Sequence, residues 1–212
     1  MSPDIDQFLA SVYSAKSKEE VANSYDQWAA TYDVDMQTIG YVNPAIMVGL
    51  AARYVQNLDA VIFDAGVGTG ITGHLLSILG YTNLIGVDLS DGMLARAAAR
   101  NVYSTLRNQE LGATLDFATA SVDAVVSCGT FTLGHAPAAA FDELVRITKS
   151  GGFLIFTVST AAWTEGGFEI KLADLAAAGS ITEVVPVKIY HPMPLSKTES
   201  GFTTRAHVYR RT

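Results

Sequence analysis

The 212-residue sequence has one cysteine, Cys128. This excludes an internal disulfide and a multi-cysteine zinc site, and leaves packing to hold the fold. It has no run near the roughly 18 consecutive apolar residues of a membrane span. Its first residues, Ser2, Pro3, Asp4 and Asp6, lack the basic patch and apolar core of a leader, so a soluble, cytoplasmic protein is expected. Internal repeats, low-complexity tracts and long linkers are also missing, which points to one domain over residues 1–212. Basic charge is scarce. Against 21 Asp and Glu stand 14 Lys and Arg, a net charge of −7, and such a field weighs against DNA or RNA as a partner. Lys188, Lys197, Arg205, Arg210 and Arg211 gather toward the C-terminus and read as scattered surface charge. No spacing of ligand residues suggests a metal. What is abundant is apolar: 49% of the residues, enough for one substantial core.

From Ala60 onward, continuous apolar runs alternate with segments of helical period, the pattern of strands buried on both faces of a parallel sheet. The runs are 61–63, 84–87, 124–126 and 153–156, with a weaker strand near 102–106. Between the first two, Ile71, Leu75, Leu76 and Leu79 form one apolar face, and Gly80 stands where a helix ends. Ser90 or Asp91 can cap the next helix, which turns Met93, Leu94, Ala97 and Ala98 inward. Pro137 opens a third, with Phe141, Leu144, Val145 and Thr148 at helical spacing before Gly151 and Gly152 stop it. Stretches 184–190 and 203–210 read as a closing antiparallel pair. The first sixty residues show three helical stretches, around 5–13, 19–32 and 44–55, expected to form a cap (1–58) over the carboxyl edge of a core spanning 59–212.

The sharpest signal is the segment VIFDAGVGTG at 61–70. Asp64 ends a buried strand, and the alternating glycines let the backbone turn sharply and approach a ligand, while the following helix start offers N–H groups to an anion. An amino-acid carboxylate would satisfy those donors, and Asp64 would accept from its ammonium group. Asp88 ends the second strand 22 residues after Gly66, where a carboxylate can accept both hydroxyls of a ribose. Gly68, Gly70 and Gly73 with Asp88 also fit the spacing of a dinucleotide site. Asp64 argues against it, because a carboxylate beside the loop repels a pyrophosphate. The Tyr-x-x-x-Lys pair of short-chain dehydrogenases is absent too.

The segments VIFDAGVGTG, LIGVDLSDGMLARA (84–97) and DAVVSCGTF (123–131) resemble, in that order, the class I S-adenosylmethionine-dependent methyltransferases. YDQWAATYD (25–33) and TESGFTTRAHVYRR (198–211) are similar to the small single-domain group typified by methyltransferase-like protein 27, of the Williams–Beuren region. The resemblance implies a Rossmann-like α/β fold with a seven-stranded, mostly parallel sheet and an antiparallel C-terminal strand. It also implies bound S-adenosylmethionine, with S-adenosylhomocysteine as product, and a small-molecule acceptor. By the same resemblance Gly66, Gly68, Thr69 and Gly70 lie beside the methionine part, Asp88 on the ribose, and Leu89 and Met93 against adenine. Gln109 and Glu110 stand where the family has Ala-Asp, so a longer carboxylate faces the adenine amino group. Cys128, Gly129 and Thr130 fall near the point of methyl transfer.

Tyr25, Trp28 and Tyr32 make a stripe that is ordinarily core packing. In the resembling group this helix looks like a lid, and aromatic faces favour a sulfonium by roughly 0.5–2 kcal/mol. Asp26 and Asp33 read as helix caps or surface residues. Methyl transfer is an in-line displacement in which alignment supplies much of the rate. A hydroxyl acceptor usually needs a general base as well, and His135, just after the fourth strand, is the candidate. His74, His191 and His207 are expected to face solvent, and Cys128 to be a small core residue. Trp163 and Glu165, after the fifth strand, are expected to line the acceptor pocket. Ser127, Cys128, Gly129 and Thr130 replace the Asn/Asp-Pro-Pro-Tyr/Phe pattern of many amide and exocyclic-nitrogen methyltransferases. That favours a small-molecule acceptor for a monomer or homodimer. The alternatives are a protein that binds the same cofactor for a reaction such as cyclisation, and an NAD-dependent oxidoreductase.

Overall fold

The computed structural model describes residues 5–15, 17–185 and 189–212; Ser2, Pro3, Asp4 and Lys188 lie outside the described residues. Strands β1 (Val61–Ala65), β2 (Asn83–Asp88), β3 (Tyr103–Asn108), β4 (Val122–Phe131) and β5 (Thr148–Ser159) run parallel in the spatial order β3-β2-β1-β4-β5. The chain starts in the middle with β1, steps outward to β3, then returns to the other side of β1 at β4. That reversal opens a crevice beyond the carboxyl ends of β1 and β4, the usual ligand position in such sheets.

Helices on both faces explain the continuous apolar runs. On one face Met47 and Ala51 of α4 (Asn43–Tyr54) and Leu76 of α5 (Ile71–Ile78) pack with Ile62, Ala124 and Val208. On the other, Phe141 and Leu144 of α7 (Ala140–Ile147) and Phe168 and Leu172 of α9 (Phe168–Ala177) pack with Phe63 and Phe156. Helix α6 (Asp91–Ala99) is capped by Ser90, whose hydroxyl accepts from the Met93 N–H at 3.0 Å. A short α8 (Thr160–Glu165) precedes α9. Among the described residues no helix is long and apolar enough to cross a membrane.

The C-terminal strands are antiparallel. β8 (Thr204–Arg211) lies beside β5, and both β6 (Ile181–Val185) and the two-residue β7 (Ile189–Tyr190) pair with its other edge. Among the described residues eight strands therefore fill seven lanes, which is how the expected seven-stranded sheet is realised. Three local expectations are corrected. Thr148 is not helical: it begins β5, and its hydroxyl donates to the Leu144 carbonyl at 2.6 Å. Gly151 (φ +83°) and Gly152, where a Cβ would lie 2.5 Å from the Asp123 carbonyl oxygen, shape an irregularity in that strand and do not stop the helix. Leu79 and Ala98 point outward, Leu79 because α5 has ended and Ala98 because it sits one step, about 100°, around the helix from buried Ala97.

The cap consists of α1 (Ile5–Ser14), α2 (Lys18–Trp28) and α3 (Tyr32–Thr38), joined by a core of Leu9, Val12, Trp28, Met36, Ile39 and Met193. The expected helix over 19–32 is two helices broken at 29–31. The aromatic stripe survives the break as a ring cluster, with Trp28 6.2 Å from Tyr25 and 4.8 Å from Tyr32. α4, grouped with the cap on sequence, packs on the sheet.

Candidate active site

The crevice holds a cavity of about 160 Å³ bounded below by the glycine loop, on one side by Asp88, Leu89, Ser90 and Met93, and above by α2. Gly66 (φ +78°) and Gly68 (φ +53°) both form its floor. A Cβ on Gly66 would lie 2.3 Å from the Thr130 hydroxyl, whereas one on Gly68 would meet nothing within 4 Å. The loop is thus packed tightly underneath and open toward a ligand at Gly68. Gly70 differs from the sequence expectation. It caps α5 at φ +81°, a Cβ on it would lie about 3.1 Å from Ala97, Arg100 and Tyr103, and it is not part of the cavity lining.

Asp88 accepts from the Gly68 N–H at 2.8 Å and the Ser90 N–H at 3.0 Å, one bond per oxygen. Burial pushes its carboxyl up, and these backbone donors oppose the push. Each oxygen keeps a further lone pair for a ligand hydroxyl. Beside it, Gln109 carries a buried Oε1 with no partner among the described residues, while Glu110 turns to the cap and pairs with Lys18 of α2. The charged side chains lining this cavity are Lys18, Asp88 and Glu110 among the described residues, a balance that suits a cationic ligand better than a pyrophosphate.

Asp26 and Asp33, read from sequence as surface residues, tie the cap to this floor. Asp33 accepts from the Thr69 hydroxyl and from Arg100, each at 2.5 Å, and Arg100 also donates to the Thr69 carbonyl. Asp26 accepts from the Ser90 hydroxyl at 2.5 Å and the Gly92 N–H at 2.8 Å. Asp64 lies behind the loop and is not part of the cavity lining. It is 2% exposed, accepts from the Tyr103 hydroxyl at 2.7 Å, and has a second oxygen, Oδ1, buried without a partner among the described residues. Burial raises its carboxyl to about 7.

Of the expected aromatic contacts, Tyr25 and Tyr32 line the cavity. Trp28 does not. It is 1% exposed, and its indole N–H donates to Asp35 at 2.9 Å, because the stripe's central ring faces the cap core. Trp163 and Glu165 line neither this cavity nor the smaller one beside it, to which Trp28 contributes. α8 turns Trp163 onto β8, where it stacks on His207 at 4.7 Å under the Arg205 guanidinium, and leaves Glu165 exposed. His207, expected to face solvent, is buried in that stack. Burial, and then Arg205, pull it down to about 4.

His135 stands at the cavity wall with the Tyr25 hydroxyl 3.0 Å from Nε2. Its Nδ1 is 2.7 Å from the Thr132 hydroxyl and 3.2 Å from the Leu133 carbonyl. A carbonyl only accepts, so Nδ1 carries the proton and Nε2 accepts from Tyr25. Burial lowers the imidazole's affinity for a second proton, so it is neutral and fit to act as a base. Cys128 lines the cavity, but burial pushes its thiol up to about 12 and keeps it protonated. Gly129 and Thr130 complete the wall.

A second cavity, of about 50 Å³, lies between the cap and the tail before β8. Tyr25, Tyr32, Gly129 and His135 belong to both cavities and form the partition. Sequence reasoning missed this chamber. Its walls come from segments as far apart as Leu9 and Thr204, with no motif to link them. Among the described residues no group of three or more His, Cys, Asp or Glu side chains could hold a metal ion.

Residues 63–156 match the family described as a methyltransferase domain. The chain is 31% identical over 161 residues to methyltransferase-like protein 27 of Homo sapiens, covering 74% of this chain and 65% of that protein. It is 30% identical over 162 residues to a malonyl-[acyl-carrier protein] O-methyltransferase of Marinomonas sp. (strain MWYL1), covering 74% and 55%. The chain therefore spans less than two thirds of the length of either curated relative. Its fold is similar to that of the [4+2]-cyclase SpnF, with a TM-score of 0.68 at 14% identity over 93% of this chain and 97% of that one. The matched residues include the strand ends, the glycine loop and Asp88 that build the larger cavity, and over this span the chain carries a class I S-adenosylmethionine-dependent methyltransferase domain, whose cofactor is S-adenosylmethionine.

Proposed function

We propose that the protein methylates a small-molecule acceptor, using the larger cavity for S-adenosylmethionine. The observation that carries the reading is the junction of Asp88 with the glycine loop: its carboxylate is fixed by the Gly68 and Ser90 N–H groups and faces the cavity. The cofactor supplies an electrophilic methyl group on a sulfonium. Gly66, Gly68 and Thr69 bring the backbone against its amino-acid part. Asp88 accepts from the ribose hydroxyls, and Leu89 and Met93 pack on adenine. The unpartnered Oε1 of Gln109 accepts from the adenine amino group, a role that Glu110 leaves free by pairing with Lys18. Asp64 acts from behind the loop, its free oxygen receiving the ammonium group. Tyr25 and Tyr32 present ring faces and hydroxyls toward the sulfonium side and exclude water. His135 is the general base where the acceptor is a hydroxyl.

The two-cavity arrangement favours a small acceptor, because the space beyond the partition, between the cap and the tail, is only about 50 Å³. The likeness to SpnF favours a second reading, in which the cofactor stays bound while another reaction uses the cleft. The test is calorimetric titration with S-adenosylmethionine, S-adenosylhomocysteine and NAD, followed by transfer of an isotope-labelled methyl group to candidate acceptors. Micromolar binding of the first two with labelled product is expected. Binding without any labelled product favours the second reading, and binding of NAD alone overturns both.

A further inference from the structure

The second cavity has a chemical character that the cofactor does not explain. Among the described residues none of its lining side chains is Asp, Glu, Lys or Arg. Its rings include Tyr25, Trp28 and Phe202, and its apolar floor includes Met36 and Met193. Several of its polar groups are already engaged. The Asn43 Oδ1 accepts from Tyr190 at 2.8 Å, Thr157 accepts from the Gly129 N–H at 2.8 Å, and Thr204 donates to the Val158 carbonyl at 2.9 Å. A carboxylate or an ammonium ion placed here would be desolvated without a counter-charge. Tyr25, Tyr32 and His135 are the polar side chains that line both cavities, and of the two hydroxyls it is that of Tyr25 that contacts His135, 3.0 Å from Nε2.

Building on the methyltransferase reading, we propose that this second cavity binds the acceptor and selects an uncharged, largely apolar hydroxyl compound, in the simplest case a phenol. Flat apolar rings suit the aromatic walls, and a phenol and a tyrosine are the same acid, so a proton passes readily between them. In the step, the acceptor oxygen forms a bond to the methyl carbon as the carbon–sulfur bond breaks, the electron pair going to sulfur. The acceptor's proton goes to the Tyr25 oxygen, and the Tyr25 proton goes to His135 Nε2, which later releases it to water. Charge balances: a sulfonium and a neutral phenol give a thioether, an ether and one proton.

Methionine methyl groups report on the site directly. Met36 and Met193 line the second cavity, Met93 lines the first, and Met47 lies in the sheet core. The full chain, labelled with 13C at its methionine methyls and saturated with S-adenosylhomocysteine, is titrated with phenol and separately with benzoate. Phenol is expected to shift Met36 and Met193 saturably, and benzoate to bind at least about tenfold more weakly, for want of a counter-charge. Equal response to benzoate, or a phenol response confined to Met93 or absent, overturns the proposal. Failure of S-adenosylhomocysteine to bind in the preceding calorimetry instead overturns the cofactor reading. With S-adenosylmethionine, bound phenol is expected to yield its methyl ether, and Tyr25→Phe to slow this about 100-fold while leaving phenol bound. Phenol bound but never methylated, or an unchanged rate in the variant, overturns the relay.

Discussion

The two cavities share a partition yet are written into the chain in opposite ways. The larger is built from strand ends and the loops that follow them, so its polar groups come from short contiguous segments around Gly66, Asp88, Gln109 and Cys128. The smaller is assembled from α1, α2, α3, the start of α4, the carboxyl ends of β4 and β5 and the tail leading into β8, and carries no charged side chain among the described residues. A ligand fixed in structure, such as a nucleoside with an amino-acid tail, is met by backbone geometry that only a local pattern can supply. An apolar acceptor is met by surface shape, which many scattered combinations of side chains can supply. This division makes a sharp experimental expectation: variants should act on one cavity or the other, except at the partition.

The largest effect is expected on the cofactor side. Asp88→Ala removes the ribose acceptor and unfastens the Gly68 and Ser90 N–H groups. Two charge-assisted hydrogen bonds at roughly 1.5–3 kcal/mol each correspond to a loss of about 100-fold or more in S-adenosylmethionine affinity, measured by calorimetry. Affinity within threefold of the parent would remove Asp88 from the site. At the partition, His135→Ala is expected to lower turnover of a hydroxyl acceptor about 100-fold and to leave cofactor affinity nearly unchanged. Because burial lowers the His135 pKa and the base must be neutral, the parent's rate should fall only at pH below the ordinary histidine range. That acid limb should vanish in the variant. A limb that persists assigns it to another group.

A smaller, two-sided effect is expected at Asp64, behind the loop. Its carboxyl is raised to about 7 by burial, so between the unfolded value near 4 and that point the folded state holds a proton that the unfolded chain has released. Stability of the ligand-free protein therefore falls as pH rises through this window and levels off above it. Asp64→Asn has no such proton to lose. At pH 8 it should be more stable than the parent by roughly 2–4 kcal/mol, with the gain shrinking toward pH 4, while losing about tenfold in cofactor affinity. Urea unfolding at both pH values checks the first half and calorimetry the second. Stabilisation without loss of affinity would mean that the free oxygen of Asp64 receives no ligand group.

The same division explains what could be read from the sequence. β1, the glycine loop, β2 and the Ser90 cap are contiguous, and each residue's neighbours set its conformation. Asp26 and Asp33 were unreadable because their partners, Ser90 and Arg100, lie 64 and 67 residues away. α4 has the same periodicity as a cap helix, and periodicity reports that a face is buried without saying what buries it. Trp28 and Trp163 were placed at the site by position along the chain. Trp28 instead bonds Asp35, stacks on Phe8 with ring centroids 5.4 Å apart, and lines the smaller cavity, not the larger.

Trp163 gives the smallest expected effect on either cavity. Its ring stacks on His207 at 4.7 Å and carries the Arg205 guanidinium 4.9 Å from the ring centre, and the stack continues through Phe156, 5.4 Å from His207. The histidine in this column is buried, neutral and without hydrogen-bond partners for either ring nitrogen among the described residues, the nearest carboxylate, Glu183, being 3.9 Å from Nδ1, so it depends mainly on ring contact. Trp163→Ala exposes it and removes a cation–π contact worth roughly 0.5–1 kcal/mol. Together with the lost packing of a half-buried ring, the cost should be about 1–3 kcal/mol, read as a lower urea midpoint. S-adenosylhomocysteine affinity and the response of Met36 and Met193 to phenol should both stay within twofold, since Trp163, Arg205 and His207 lie outside both linings. A raised KM for the acceptor in this variant, at unchanged folding, would extend the second cavity to α8 and undo the separation between stack and site.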